Sequence, residues 1–88
     1  MASYELVVRE SVAKDLRALP KVDVERVLHR INALREDPRP VGCEKLSGLE
    51  RYRIRQGSYR IIYEIEDRIL VVCVVKVGHR RDVYRPAR

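Results

Sequence analysis

Arg51, Arg53, Arg55 and Arg60 stand within one stretch of ten residues that holds no acid. The first three alternate with Tyr52 and Ile54, and a spacing of two places all three on one face of a strand. Gly57-Ser58 follows, a two-residue turn with glycine first. A type II′ turn requires that order, because glycine alone takes a positive φ there without strain. Folding back at this turn sets Gln56 opposite Tyr59, Arg55 opposite Arg60, Ile54 opposite Ile61, Arg53 opposite Ile62, Tyr52 opposite Tyr63 and Arg51 opposite Glu64. One hairpin face then carries Tyr52, Ile54, Tyr59, Ile61 and Tyr63, a core face. The other collects the four arginines. Arg55 against Arg60 is a like-charge pair, which destabilises a hairpin. An anion held between them removes that penalty, and the planar, permanently charged guanidinium suits phosphate. The plainer alternative is a solvated basic face.

A second set of reactive side chains follows Val77-Gly78. Gly78 is expected to end a strand, leaving His79, Arg80 and Tyr84 at its end, beside the hairpin if the two strands are neighbours. Arginines for phosphate, a histidine that exchanges a proton near neutral pH and a tyrosine that stacks on a base or moves a proton together fit RNA cleavage. Taken singly, His79 also reads as a surface histidine and Tyr84 as a core aromatic. Arg51, Lys76, Arg81, Arg85 and Arg88 extend the basic surface as RNA-contacting residues. No spacing fits a metal site, a Ser-His-Asp arrangement or a glycine-rich phosphate loop, so no cofactor is expected. Cys43 and Cys73 read as two reduced thiols.

The charge is concentrated at these two places. Residues 51–60 carry +4 and residues 76–88 carry +4, so the remainder of a chain of net charge +6 is slightly acidic. Concentrated positive charge marks a nucleic-acid partner or an acidic protein partner. The 88 residues make one domain, 1–88, and a chain of this size buries only about 60–65% of its unfolded surface. Hydrophobic content of 45% beside 36% charge describes a globular chain and not a disordered one. No apolar run is long enough to span a membrane and no leader is visible, so a cytoplasmic protein with no membrane partner is expected.

The elements that must position these residues can be read in order. Tyr4 to Val8 is a short first strand. Ser11 is expected to cap a helix to Leu19, with Val12, Leu16 and Leu19 on one face and Pro20 ending it. A second helix is expected from Val22 to Glu36, with the stripe Val24, Val27, Leu28, Ile31 and Leu34 and with His29 beside it. The short connection predicts an antiparallel helical hairpin. Asp37-Pro38-Arg39-Pro40 stops the second helix, and a loop through Gly42 and Gly48 leads to the arginine hairpin, with Leu46 and Leu49 as anchors. After a turn at Glu66-Asp67-Arg68, Ile69 to Val77 is apolar on both alternating faces and reads as a central strand. The order β-α-α-β-β-β describes a two-layer α+β fold, a helical hairpin on one face of a small, mainly antiparallel twisted sheet. Two helices cover one sheet face only, so Leu70, Val72 and Val74 are expected on the other, where only the C-terminal tail or another protein can cover them; an acidic amphipathic partner is expected.

The phrases AKDLRAL, KLSGLERYRIRQGSYRIIYEIEDRILVVCVV and VGHRRDVY, spread in this order over nearly the whole chain, resemble a RelE-type toxin of the RelE/ParE toxin–antitoxin superfamily. The resemblance implies a ribosome-dependent endoribonuclease that cuts mRNA in the A site, with ribosome and mRNA as partners and a cognate acidic antitoxin holding it inactive. A heterotetramer with that antitoxin is one assembly left open. By the same resemblance, Arg53 and Arg55 stand where the family has phosphate-contacting basic residues, often lysines. Arg60 stands at the arginine that meets the scissile phosphate, Arg80 at the catalytic arginine after the last strand, Tyr84 at the catalytic tyrosine, and His79 where the best-known member has lysine. Arginine cannot surrender a proton near neutral pH. The acid and base roles therefore stay open among His79, Arg80 and Tyr84. Two other functions remain, a ParE-like inhibitor of DNA gyrase and a catalytically inactive RNA- or protein-binding relative.

Overall fold

The structure, a computed structural model, describes residues 3–46 and 50–79. Its elements are β1 (Glu5–Val8), α1 (Glu10–Arg17), α2 (Lys21–Ala33), β2 (Glu44–Lys45), β3 (Arg51–Gln56), β4 (Tyr59–Glu66) and β5 (Val71–His79). The sheet order is β1-β5-β4-β3-β2, with β1 parallel to β5 and the other pairs antiparallel. α1 packs on β5 and α2 on β3. The two-layer α+β fold expected from the sequence is therefore the observed one, with one added element: the loop through Gly42 contains the two-residue β2.

Both helices are shorter than their apolar periodicity indicates. α1 begins one residue before Ser11, after Arg9 in extended conformation, and neither helix has a side-chain cap. Pro20 separates the two helices, and its carbonyl accepts from the amides of Asp23 and Val24. Val12 from α1, Val27 and Ile31 from α2, and Leu34 just beyond it pack on Tyr52, Ile54, Ile61, Tyr63, Val72, Val74 and Val77 of the sheet. Truncating a fully buried member such as Ile31 or Ile61 to alanine would cost about 2–5 kcal/mol. Leu28, expected in the apolar stripe, is largely exposed.

The last strand corrects the sequence reading most. Ile69 and Leu70 belong to the turn, Leu70 with φ +54°, and the strand runs through Gly78 to His79. Val72 and Val74, expected on the uncovered face with Leu70, are both 0% exposed and face the helices. The cause is a bulge. Tyr63 pairs with Val74 while Ile62 pairs with Lys76, so Val75 is an extra residue. An extra residue shifts the alternation by one, and Val72, Val74 and Val77 all reach the core although their numbers differ in parity. The strand is central, as expected, between β1 and β4.

β1 pairs with β5 only as far as Val8–Val74, which leaves the second half of β5 without a neighbour on that side. Asp15 of α1 takes that place. Its Oδ2 accepts from the Val77 amide at 3.2 Å and its Oδ1 from Lys76 Nζ at 3.1 Å. Asp15→Ala is expected to lower stability by about 1–3 kcal/mol, the cost of leaving a half-buried amide without an acceptor. Asp15→Asn should keep most of it. A urea midpoint unchanged in Asp15→Ala would show that the amide finds water instead.

Candidate phosphate-binding site

The arginine hairpin forms as its sequence requires. Gly57 has φ +60° and Ser58 does not have a positive φ, the combination of a type II′ turn. The β3–β4 register is the expected one in all six pairs, from Arg51–Glu64 to Gln56–Tyr59, and includes Arg55 directly opposite Arg60. Tyr52, Ile54, Ile61 and Tyr63 are buried and Tyr59 is packed at the core's margin, so Arg51, Arg53, Arg55 and Arg60 share the face away from the helices.

Each arginine meets a different environment. Arg51 Nε donates to Glu64 Oε2 at 2.9 Å, and Arg9 approaches the other oxygen of Glu64 at 3.7 Å. Arg53 pairs with Glu44 at 2.6 Å. Arg55 is exposed, and its backbone carbonyl accepts from Arg30 Nε at 3.5 Å. Arg60 is half-buried, and its Nε is buried with no hydrogen-bond partner among the described residues. A buried charged donor without an acceptor is costly. Two of the four arginines are thus matched with carboxylates, and the two that oppose each other at the turn end have no carboxylate partner among the described residues.

The strand end adds a separation that sequence alone does not reveal. His79 pairs with Tyr59 and Gly78 with Arg60, so the end of β5 does lie beside the hairpin. The His79 ring, however, stands on the helix side, edge-on to the Tyr59 ring at 6.1 Å. The sheet lies between it and the arginines. Tyr59 donates its hydroxyl to Asp23 of α2 at 3.0 Å, and that hydrogen bond holds the phenol above its usual pKa. Asp23, Arg26, Gln56, Gly57, Ser58, Tyr59 and His79 line a cleft of about 330 Å³ there. Lys76 is committed to Asp15 at the open edge of β5. Arg80, Arg81, Tyr84, Arg85 and Arg88 lie outside the described residues.

The far end of the sheet is braced. Tyr63 donates to the Pro38 carbonyl at 2.7 Å and its oxygen lies 3.2 Å from Cys43 Sγ. Burial, with the neighbouring thiol, pushes its phenol far above the usual range. Arg39 lies 5.1 Å over the Tyr52 ring and donates to Asp67 at 2.9 Å, and Tyr4 donates to the same carboxylate at 2.8 Å. Those donors, Arg39 first, hold Asp67 below the usual carboxylate range. Glu64 was legible as the partner of Arg51 from the turn alone. Glu44 was not, because two residues are too short to show a strand period.

Comparison with known proteins agrees with this geometry. The family model described as ParE toxin of type II toxin–antitoxin system, parDE, matches residues 6–84. The chain is 30% identical over 86 residues to the toxin RelG of Mycobacterium tuberculosis, covering 93% of this chain and 97% of that one. It is 30% identical over 90 residues to the mRNA interferase toxin RelE of Escherichia coli, covering 97% and 94%. The archaeal RelE–RelB complex of Pyrococcus horikoshii contains a chain of the same fold, with TM-score 0.81, 30% identity and coverage of 92% of this chain and 99% of that one. With a family match that runs from the first strand through the arginine hairpin and past the last strand, this chain belongs to the ParE toxin family of type II toxin–antitoxin systems, as a RelE-type member.

Proposed function

We propose that this toxin is a ribosome-dependent endoribonuclease that cuts mRNA in the A site. The observation that carries this reading is the pair Arg55–Arg60: two guanidinium groups set opposite each other, one with a buried donor lacking an acceptor among the described residues. A phosphodiester supplies the missing acceptor and the missing negative charge. The message's own 2′-oxygen attacks the phosphorus, the bond to the 5′-oxygen breaks, and a 2′,3′-cyclic phosphate and a 5′-hydroxyl remain. The arginines stabilise the additional charge of the five-coordinate transition state, an effect of preorganised electrostatics. The 2′-hydroxyl proton needs a base. In this reading Tyr84 takes it, because the His79 ring stands across the sheet from Arg60. Arg80 assists the leaving 5′-oxygen by charge, and that oxygen takes its proton from water as it leaves. The relative from E. coli named an mRNA interferase supports mRNA as the target.

The regulator in this reading is an acidic antitoxin; the RelBE structure from E. coli, 31% identical in its toxin-like chain, is a toxin–antitoxin complex. Its apolar contacts fall on the exposed Val7, Val8, Ile69 and Leu70, since Val72 and Val74 are unavailable in the core. The matched family is described as ParE toxin, and the resemblance to ParE-type members keeps a second reading, inhibition of DNA gyrase. Primer extension on cellular mRNA after induced expression separates the two. Cuts in phase with codons inside translated frames are expected. Induction of the DNA-damage response without such cuts would replace the nuclease reading with the gyrase one.

A further inference from the structure

Two carboxylates divide the arginine face. Glu64 and Glu44 hold Arg51 and Arg53, while among the described residues Arg55 and Arg60 have no ion-pair partner. Glu44 is delivered by β2, whose register sets it opposite Arg53. The connection that leads into β2 is fixed from behind, by Tyr63 on Pro38 and beside Cys43, and by Arg39 on Asp67 and Tyr52. β2 therefore arrives in one place. The Arg53 side chain is 15% exposed and the Glu44 side chain 58% exposed, so a mostly buried arginine is held by a carboxylate that stands in solvent. An arginine has many rotamers to lose, and a carboxylate at 2.6 Å selects among them before any substrate arrives.

We infer that Glu44 is a positioning residue for Arg53: it holds the guanidinium in the orientation that the reacting phosphate requires, while its own negative charge repels the RNA. This rests on the nuclease reading above. The two effects act at different stages. Repulsion weakens binding of the message whether or not it reacts, whereas alignment counts only where charge develops, in the transition state. Removing Glu44 should accordingly move binding and rate in opposite directions. A merely structural residue would worsen both.

The test uses purified toxin on ribosomes programmed with a defined message. Binding is measured with a message carrying one 2′-deoxynucleotide at the scissile position, and rate by single-turnover cleavage of the normal message at saturating toxin. Glu44→Ala is expected to bind about two- to fivefold tighter at low salt and to cleave about tenfold slower. Glu44→Asp should recover most of the rate, and Glu44→Ala should add no further loss to Arg53→Ala. A variant that binds tighter and cuts faster would reduce Glu44 to a repelling charge. One that binds more weakly and cuts more slowly, with a lower unfolding midpoint, would make it structural, and a loss that persists in Arg53→Ala would detach it from Arg53. An independent arm follows the Arg53 Nη–H resonances, the protons of the nitrogen that meets Glu44, assigned through Arg53→Ala. Loss of their protection in Glu44→Ala is expected, and an unchanged signal overturns the inference. Because this arm needs no cleavage, a wild-type toxin that cuts nothing would sink the nuclease reading and leave the positioning of Arg53 still decided.

Discussion

Arg60→Ala should end toxicity and leave the protein at least as stable as the wild type. Arg60 faces Arg55 across the strand pair and buries an Nε that has no acceptor among the described residues. Both features oppose folding in the absence of ligand: like charges set opposite cost a fraction of a kcal/mol, and an unsatisfied buried donor costs about 1–3 kcal/mol. Alanine removes both and loses only the packing of the arginine stem. The stability is therefore expected to stay level or rise by up to about 1 kcal/mol, the trade between stability and activity that marks a site residue. The rate should fall by about 10²–10³-fold, the scale for removing one preorganised donor from a developing negative charge. Growth on induction, ribosomal cleavage and a denaturant midpoint measure the two halves separately. A variant that unfolds would make Arg60 a structural residue. One that folds and cuts normally would place the phosphate elsewhere.

The larger effect is expected from the substrate. A message with a single 2′-deoxynucleotide at the scissile position should not be cut there, since the attacking oxygen is gone. Alignment of an internal nucleophile is worth many orders of magnitude in rate, so residual cutting at that site should be undetectable beside neighbouring sites. The products from unmodified RNA should carry a 2′,3′-cyclic or 3′-phosphate and a 5′-hydroxyl. Cleavage should persist in chelator once ribosome integrity is controlled for, because attack by the 2′-hydroxyl calls on alignment and charge rather than on an activated external water. Equal cutting of deoxy-substituted and normal messages would exclude 2′-hydroxyl attack, whatever the fate of the arginine variants.

The sequence by itself determined the hairpin, down to its register. Gly57 can adopt a conformation that other residues avoid, a two-residue turn leaves no slack, and a period of two then sorts Tyr52, Ile54, Ile61 and Tyr63 to the core and the arginines to the other face. The same local rules announced two helices broken at Pro20. What they could not decide depends on neighbours distant in the chain. The bulge at Val75 exists only because β4 and β5 pair, and it moved Val72 and Val74 from the expected open face into the core. Asp15 acquires its role only where β1 runs out beside β5, and β2 exists only because β3 is there to receive it. The site divides in the same way. That Arg55 opposes Arg60 is a local fact of the turn, whereas the burial of the Arg60 Nε, the Glu44 carboxylate on Arg53 and the placing of His79 across the sheet each require a third element. Periodicity reports which residues share a face of one element, and only packing decides which faces meet.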